Sequence, residues 1–148
     1  MKKITVTING TGFAGDYTTQ VYGMIPHKNG VEIDLAGVCS GHLENAEAFA
    51  KKHGIRDAYA DHQAMVETIK PDIDNIACAN FTHGQYTIEA AQAGAKVIVL
   101  EKPPIIWPGH VEGREADGET KKRESMDYLG QVLDAVRENG SKLLYAED

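Results

Sequence analysis

The chain predicts a doubly wound α/β domain: a parallel six-stranded sheet in the order 3-2-1-4-5-6, with helices on both faces and three layers in all. Three observations predict it. Strand and helix patterns alternate with short connections along nearly all of the 148 residues. The first β-rich run ends in Gly10-Thr11-Gly12-Phe13-Ala14-Gly15, a glycine-rich turn that opens a helix. The run Val97-Ile98-Val99-Leu100 is apolar at every position, as a central parallel strand buried on both faces should be.

Each element has its own signal. Ile4 to Ile8 reads as the first strand, and about Ala14 to Met24 as the helix after it. Ile33 to Cys39 is the second strand. Leu43 to His53 is a helix that carries Ala46, Phe49 and Ala50 on one face and stops at Gly54. Ala58-Tyr59-Ala60 is a short third strand. Asp61 is the expected N-cap of a helix burying Met65, Val66 and Ile69, with Pro71 as its stop. Asp74 to Ala79 is the fourth strand, and a helix from about His83 to Ala93 ends at Gly94. Lys96 to Leu100 is the fifth strand. Met126, Leu129, Leu133 and Val136 fall at helical spacing before Asn139-Gly140, and Lys142 to Tyr145 is a short sixth strand. The stretch 104–121 carries Pro, Gly and charge with little periodicity, so it reads as an irregular segment. Its start, Ile105-Ile106-Trp107-Pro108, is apolar enough to pack on this domain or on a partner.

Composition narrows the function. Hydrophobic residues make up 42% of the chain, enough for one packed domain over residues 1–148. The formal net charge is −7, which argues against nucleic acid and anionic membrane as partners. No apolar run approaches the roughly 20 residues of a membrane span. The N-terminus enters a strand directly, without the pattern of a secretory leader, so a cytoplasmic location is expected. Cys39 and Cys78 belong to no Cys-x-x-Cys pair and read as reduced thiols at strand ends. His27, His42, His53, His62 and His110 show no metal-ligand spacing and are expected to be exposed or capping; no metal is expected.

The glycine turn carries the first piece of chemistry. Gly10 permits a tight strand-to-helix turn. Gly12 lets backbone approach a pyrophosphate with no Cβ in the way. Gly15 lets the helix pack closely on the strand. The helix N-terminus then offers free N–H groups and partial positive charge to phosphate. At the end of the second strand a carboxylate would hold a ribose 2′-hydroxyl and repel a 2′-phosphate. Ser40 stands there instead, followed by Gly41 and His42, which leans slightly toward NADP. No lysine or arginine follows until Lys51, so either NAD or NADP stays open.

The second piece is Glu101-Lys102-Pro103, at the exit of the most apolar strand. In a doubly wound sheet that exit is the ligand crevice. A partly desolvated lysine there can be tuned for proton transfer. Glu101 would orient it or, if closely paired, hold its charge. Asn80 and His83, at the turn after the fourth strand, face the same crevice by position; alternatively Asn80 or Thr82 caps the helix and His83 is solvated.

These residues resemble the Gfo/Idh/MocA family of oxidoreductases. The resemblance runs through the glycine turn, Ala46 to Ile55, Tyr59-Ala60-Asp61, and Asn80 with His83, where Ala79 replaces the family's proline. Its most specific part is Ala93-Gly94-Ala95-Lys96-Val97 leading into Glu101-Lys102-Pro103. It implies a Rossmann-like NAD(P)-binding domain and hydride transfer between a nicotinamide cofactor and a small sugar, cyclitol or related polyol. It implies that Lys102 is catalytic. The residues expected around the cofactor are Gly10, Gly12, Phe13, Ala14, Gly15, Ser40, His42, Asn80, His83 and Glu101. Family members carry a second domain that completes the substrate pocket and forms the subunit interface. This chain would then be the N-terminal domain of a homo-oligomeric enzyme, inactive alone. Two other classes are open: a non-catalytic, redox-sensing dinucleotide module, and a methyltransferase-like domain, whose glycine turn would normally lack the helix-packing role of the third glycine. Neither gives Glu101-Lys102-Pro103 a task.

Overall fold

The computed structural model describes residues 2–25 and 30–146. His27 lies outside the described residues. The strands are β1 (Lys2–Asn9), β2 (Val31–Cys39), β3 (Asp57–Tyr59), β4 (Ile73–Ile76), β5 (Val97–Leu100) and β6 (Lys142–Tyr145). They form one sheet in the order β3-β2-β1-β4-β5-β6. All five strand pairs are parallel. The helices are α1 (Phe13–Met24), α2 (Leu43–His53), α3 (His62–Ile69), α4 (His83–Gln92), α5 (Pro108–Val111) and α6 (Gly118–Glu138).

Alternation along the strands divides the core into two faces. Val6, Ile8 and Val38 pack under Ala46, Phe49 and Ala50 of α2, with Tyr22 of α1 against the same cluster. Ile76, Ile98 and Leu100 pack under Ala90 and Ala91 of α4 and Val136 of α6. Met65 and Val66 of α3 close over Cys39 on that second face. The signals read at the helix ends act locally. Gly54 ends α2 in the left-handed conformation at φ 68°. The Asp61 carboxylate caps α3 by accepting from the Ala64 N–H at 2.7 Å. The face of α6 differs from the simple apolar spacing: Val132 and Val136 are buried, while Met126 and Leu133 are exposed.

The stretch 104–121 is more ordered than its composition implies. Pro108–Val111 forms α5, and α6 begins at Gly118 with Asp117 accepting from the Thr120 N–H at 2.8 Å. The Trp107 indole N–H donates to Glu124 of α6 at 2.9 Å. Arg114 and Lys121 lie over the indole ring, at 5.4 Å and 4.9 Å from its centroid. The segment therefore folds back onto its own domain.

His62 also departs from expectation. It is buried rather than exposed or capping. Its Nε2 lies 3.0 Å from the buried Asp74 carboxylate of β4, and its Nδ1 pairs with Glu89 of α4. Asp74 also accepts from the Thr7 hydroxyl at 2.6 Å and the Asn9 amide at 2.8 Å, both on β1. Burial opposes a charge on His62, but the hydrogen bonds and charges of Asp74 and Glu89 outweigh it and lift its pKa to about 9. The partners come from two other elements, which is why local spacing misjudges this histidine. His53 also has a carboxylate partner, Asp16 of α1 at 2.8 Å.

Candidate functional site

The carboxyl ends of β1, β2 and β4 meet at one edge of the sheet. A cavity of about 700 Å³ opens there, lined by Gly10 to Ala14, Cys39 to His42, Ala77 to Ala79, Phe81, Thr82 and Tyr86. This is the strand-end crevice at the reversal of strand order, where doubly wound sheets bind ligands.

The three glycines meet three different demands. Gly10 has φ +101°, and a Cβ there would overlap the Ala77 carbonyl oxygen. A Cβ at Gly15 would overlap the Gly10 carbonyl oxygen, so the first turn of α1 sits directly on the end of β1. Gly12 is different: nothing lies within 4 Å of where its Cβ would be. It is the N-cap of α1 and supplies no side-chain hydrogen bond to the helix. The N–H groups of the first turn are thus left to a ligand at the cavity, which Phe13 and Ala14 line. The donors, the open approach at Gly12 and the strand-end position fit a dinucleotide pyrophosphate.

Ser40 and His42 both line the cavity at the end of β2. Among the described residues, the lining contains no carboxylate. Beside it, on the α1–α2 side, lies a groove lined by Thr11, Gly12, Phe13, Asp16, Asn45 and Lys52 among others. Lys52 and His53 pair with Asp16 there and hold its carboxyl down at about 2. Cys39 and Cys78 are free thiols on the cavity wall. Burial pushes Cys39 up to about 12 and also raises Cys78, so neither is a ready thiolate.

Lys102 follows the neighbouring strand. Ile76 and Leu100 are paired in register, and the Glu101 N–H donates to the Ile76 carbonyl at 2.9 Å. This places Glu101 and Lys102 alongside Ala77 and Cys78 of the cavity wall. Lys102 is exposed, and the peptide that joins it to Pro103 is cis. Asn80 opens a 3₁₀ turn and is exposed beside the cavity-lining Ala79 and Phe81. His83 is fully buried, with Nδ1 2.6 Å from the Pro103 carbonyl oxygen and Nε2 3.2 Å from that of Cys78. Thr82 is the N-cap of α4 by position, but its hydroxyl donates back to the Ala79 carbonyl at 2.7 Å instead of capping. Neither Asn80, His83 nor Glu101 lines the cavity.

Cavity residues that the motifs did not single out are Tyr86, Phe81 and Ala77. Tyr86 lies three residues beyond His83 on α4, a spacing that keeps it on the same side of the helix. Its ring stacks on His62 at 4.1 Å, so the buried ion network forms the underside of the cavity wall.

A family model described as an oxidoreductase family with an NAD-binding Rossmann fold matches residues 4–123. The chain belongs to the Gfo/Idh/MocA oxidoreductase family. A D-glucoside 3-dehydrogenase of Escherichia coli (strain K12) is 36% identical over 102 residues, 69% of this chain and 26% of that protein. Levoglucosan dehydrogenase, solved with NADH and levoglucosan, superimposes with a TM-score of 0.77 at 20% identity, over 98% of this chain and 35% of its own. A Synechocystis biliverdin reductase, solved with biliverdin and NADP+, gives 0.70 at 22% identity, over 96% of this chain and 37% of its own. The chain thus spans about a quarter of the curated relative and about a third of these solved structures. The Gfo/Idh/MocA domain has the predicted fold and strand order. Among the described residues no helix is long and apolar enough to cross a membrane.

Proposed function

We propose that this domain binds the cofactor of an NAD(P)-dependent dehydrogenase acting on a sugar, cyclitol or related polyol. A further domain would complete the substrate pocket, and the whole enzyme would be a homo-oligomer in the cytoplasm. The observation that carries the proposal is Gly12. It faces open space at a helix N-terminus that lacks a side-chain cap, at the strand-end crevice. The curated relative's D-glucoside 3-dehydrogenase name supports a sugar-like substrate.

In this reading the first-turn N–H groups of α1 hold the pyrophosphate, and Ser40 and His42 meet the adenosine ribose. Asn80 and Glu101 lie toward the nicotinamide side. Ser40, with no carboxylate in the cavity lining, supports acceptance of NADP as well as NAD. When bound, the nicotinamide supplies the hydride acceptor or donor. Lys102 Nζ takes the substrate hydroxyl proton in oxidation and returns it in reduction, as a general base and acid. The test is a dehydrogenase assay with a panel of sugars and cyclitols on the enzyme containing this domain. Lys102→Ala should lower kcat by about a hundredfold or more, the scale of a lost acid–base group, with cofactor affinity largely retained. Normal turnover by that variant would refute the assignment.

A further inference from the structure

The family motif brings His83 to the crevice by position, but the structure gives it another task. Its side chain is fully buried and both ring nitrogens face backbone carbonyl oxygens. One belongs to Cys78, in the turn after β4 that walls the cavity. The other belongs to Pro103, the residue after Lys102. The Pro103 contact is the shorter, at 2.6 Å, and because a carbonyl oxygen only accepts, Nδ1–H is the donor in that hydrogen bond. One rigid ring, fixed at the start of α4, thus touches both turns. Its backbone is held within α4, where the buried Thr87 hydroxyl donates to the His83 main-chain carbonyl at 2.8 Å. Below this level the two strands are tied by their ladder, which ends at the Glu101 N–H to the Ile76 carbonyl. The segment 102–107 then runs on as irregular chain.

We infer that His83 is a positioning residue for Lys102: its Nδ1–H holds the Pro103 carbonyl and so fixes the lysine turn against the cavity wall. This rests on the catalytic reading of Lys102 given above. Positional error at a reacting group is costly; a displacement of about 1 Å can lower a rate by roughly a hundredfold. A loosened 102–103 turn therefore damages turnover much more than cofactor affinity.

Two substitutions of similar polarity separate this role from a general need for a buried ring. The Asn Nδ2 sits near the position of the His Nδ1, so His83→Asn keeps the donor. The Gln amide is one carbon farther out, so His83→Gln misplaces it. The first measurement is amide hydrogen exchange on the 148-residue chain without cofactor. His83→Gln should speed exchange at Glu101, whose N–H donates to the Ile76 carbonyl at the base of the turn, and His83→Asn should not. The second is turnover in the enzyme containing this domain. His83→Gln should lower kcat by about tenfold or more and leave the NADH dissociation constant nearly unchanged, while His83→Asn works near the normal rate. A His83→Gln/Lys102→Ala double variant should be no slower than Lys102→Ala alone, because both changes act through one group.

Normal exchange and turnover in His83→Gln would overturn the inference. So would losses that add in full to those of Lys102→Ala, or a loss of cofactor affinity as large as the loss of rate. An inactive Lys102→Ala beside a normal His83→Gln removes this inference alone. A fully active Lys102→Ala removes the catalytic reading and this inference with it.

Discussion

Gly12 and Gly15 lie three residues apart and answer to different constraints. A Cβ at Gly15 collides with the Gly10 carbonyl inside the fold, whereas one at Gly12 meets nothing. Gly15→Ala should therefore destabilise the domain by about 1–3 kcal/mol, as overpacking does, seen as a lower Tm without cofactor. Gly12→Val should change stability by no more than about 1 kcal/mol, the scale of a helix-cap effect, because its added bulk projects into the cavity. Ser40 poses a separate question. Ser40→Asp should move preference from NADP toward NAD, measured as the ratio of dissociation constants for the two reduced cofactors. If the unaltered chain already rejects NADP by more than about tenfold, a gap of roughly 1.4 kcal/mol, the Ser40 reading is wrong. The glycines were legible in the sequence because a turn between strand and helix announces its own geometry. The burial of His83 was not, since its partner Pro103 lies twenty residues on and is reached through a backbone carbonyl that any residue could supply.

At the scale of elements, the His62 network joins α3, α4, β1 and β4. The folded pKa of His62, about 9, lies above its ordinary value of 6.5. Its contribution to stability is thus complete below about pH 6.5 and is lost as pH rises through about 9. Chemical denaturation followed from pH 6 to 10 should show the unaltered chain weakening over that range. His62→Ala should lack this dependence. At neutral pH it should lose about 3–5 kcal/mol, because it strands the buried Asp74 carboxylate without its cationic partner. A flat profile for both proteins would refute the charged network. Little of this was readable beforehand. Asp61, Gly54 and Pro71 mark helix ends through local chemistry, and those marks were legible. Asp74 reads as one more polar residue near a strand start until the sheet places it beside Thr7, Asn9 and His62. The same holds for 104–121: its order comes from Trp107 meeting Glu124, Arg114 and Lys121, contacts made across the start of α6 rather than through any periodic pattern.

For the whole molecule, the alternating pattern was sufficient to give the sheet order, because right-handed crossovers and a glycine turn on the first strand leave few alternatives. The division of labour follows from the same topology. The strand ends, the α1 N-terminus and the Lys102 turn lie at one edge. Substrate positioning can be worth about 7–11 kcal/mol of a barrier. In the proposed reading these cavity walls serve the cofactor and not the substrate, so the 148-residue chain should bind cofactor without appreciable turnover. The most direct test is a calorimetric titration of NADH and NADPH into this chain and into Gly12→Val. Saturable one-to-one binding by the unaltered chain, severely weakened in a variant that keeps its Tm, is the predicted result. No binding of either nucleotide, or equal binding by both proteins, would contradict the assignment of this crevice as the dinucleotide site.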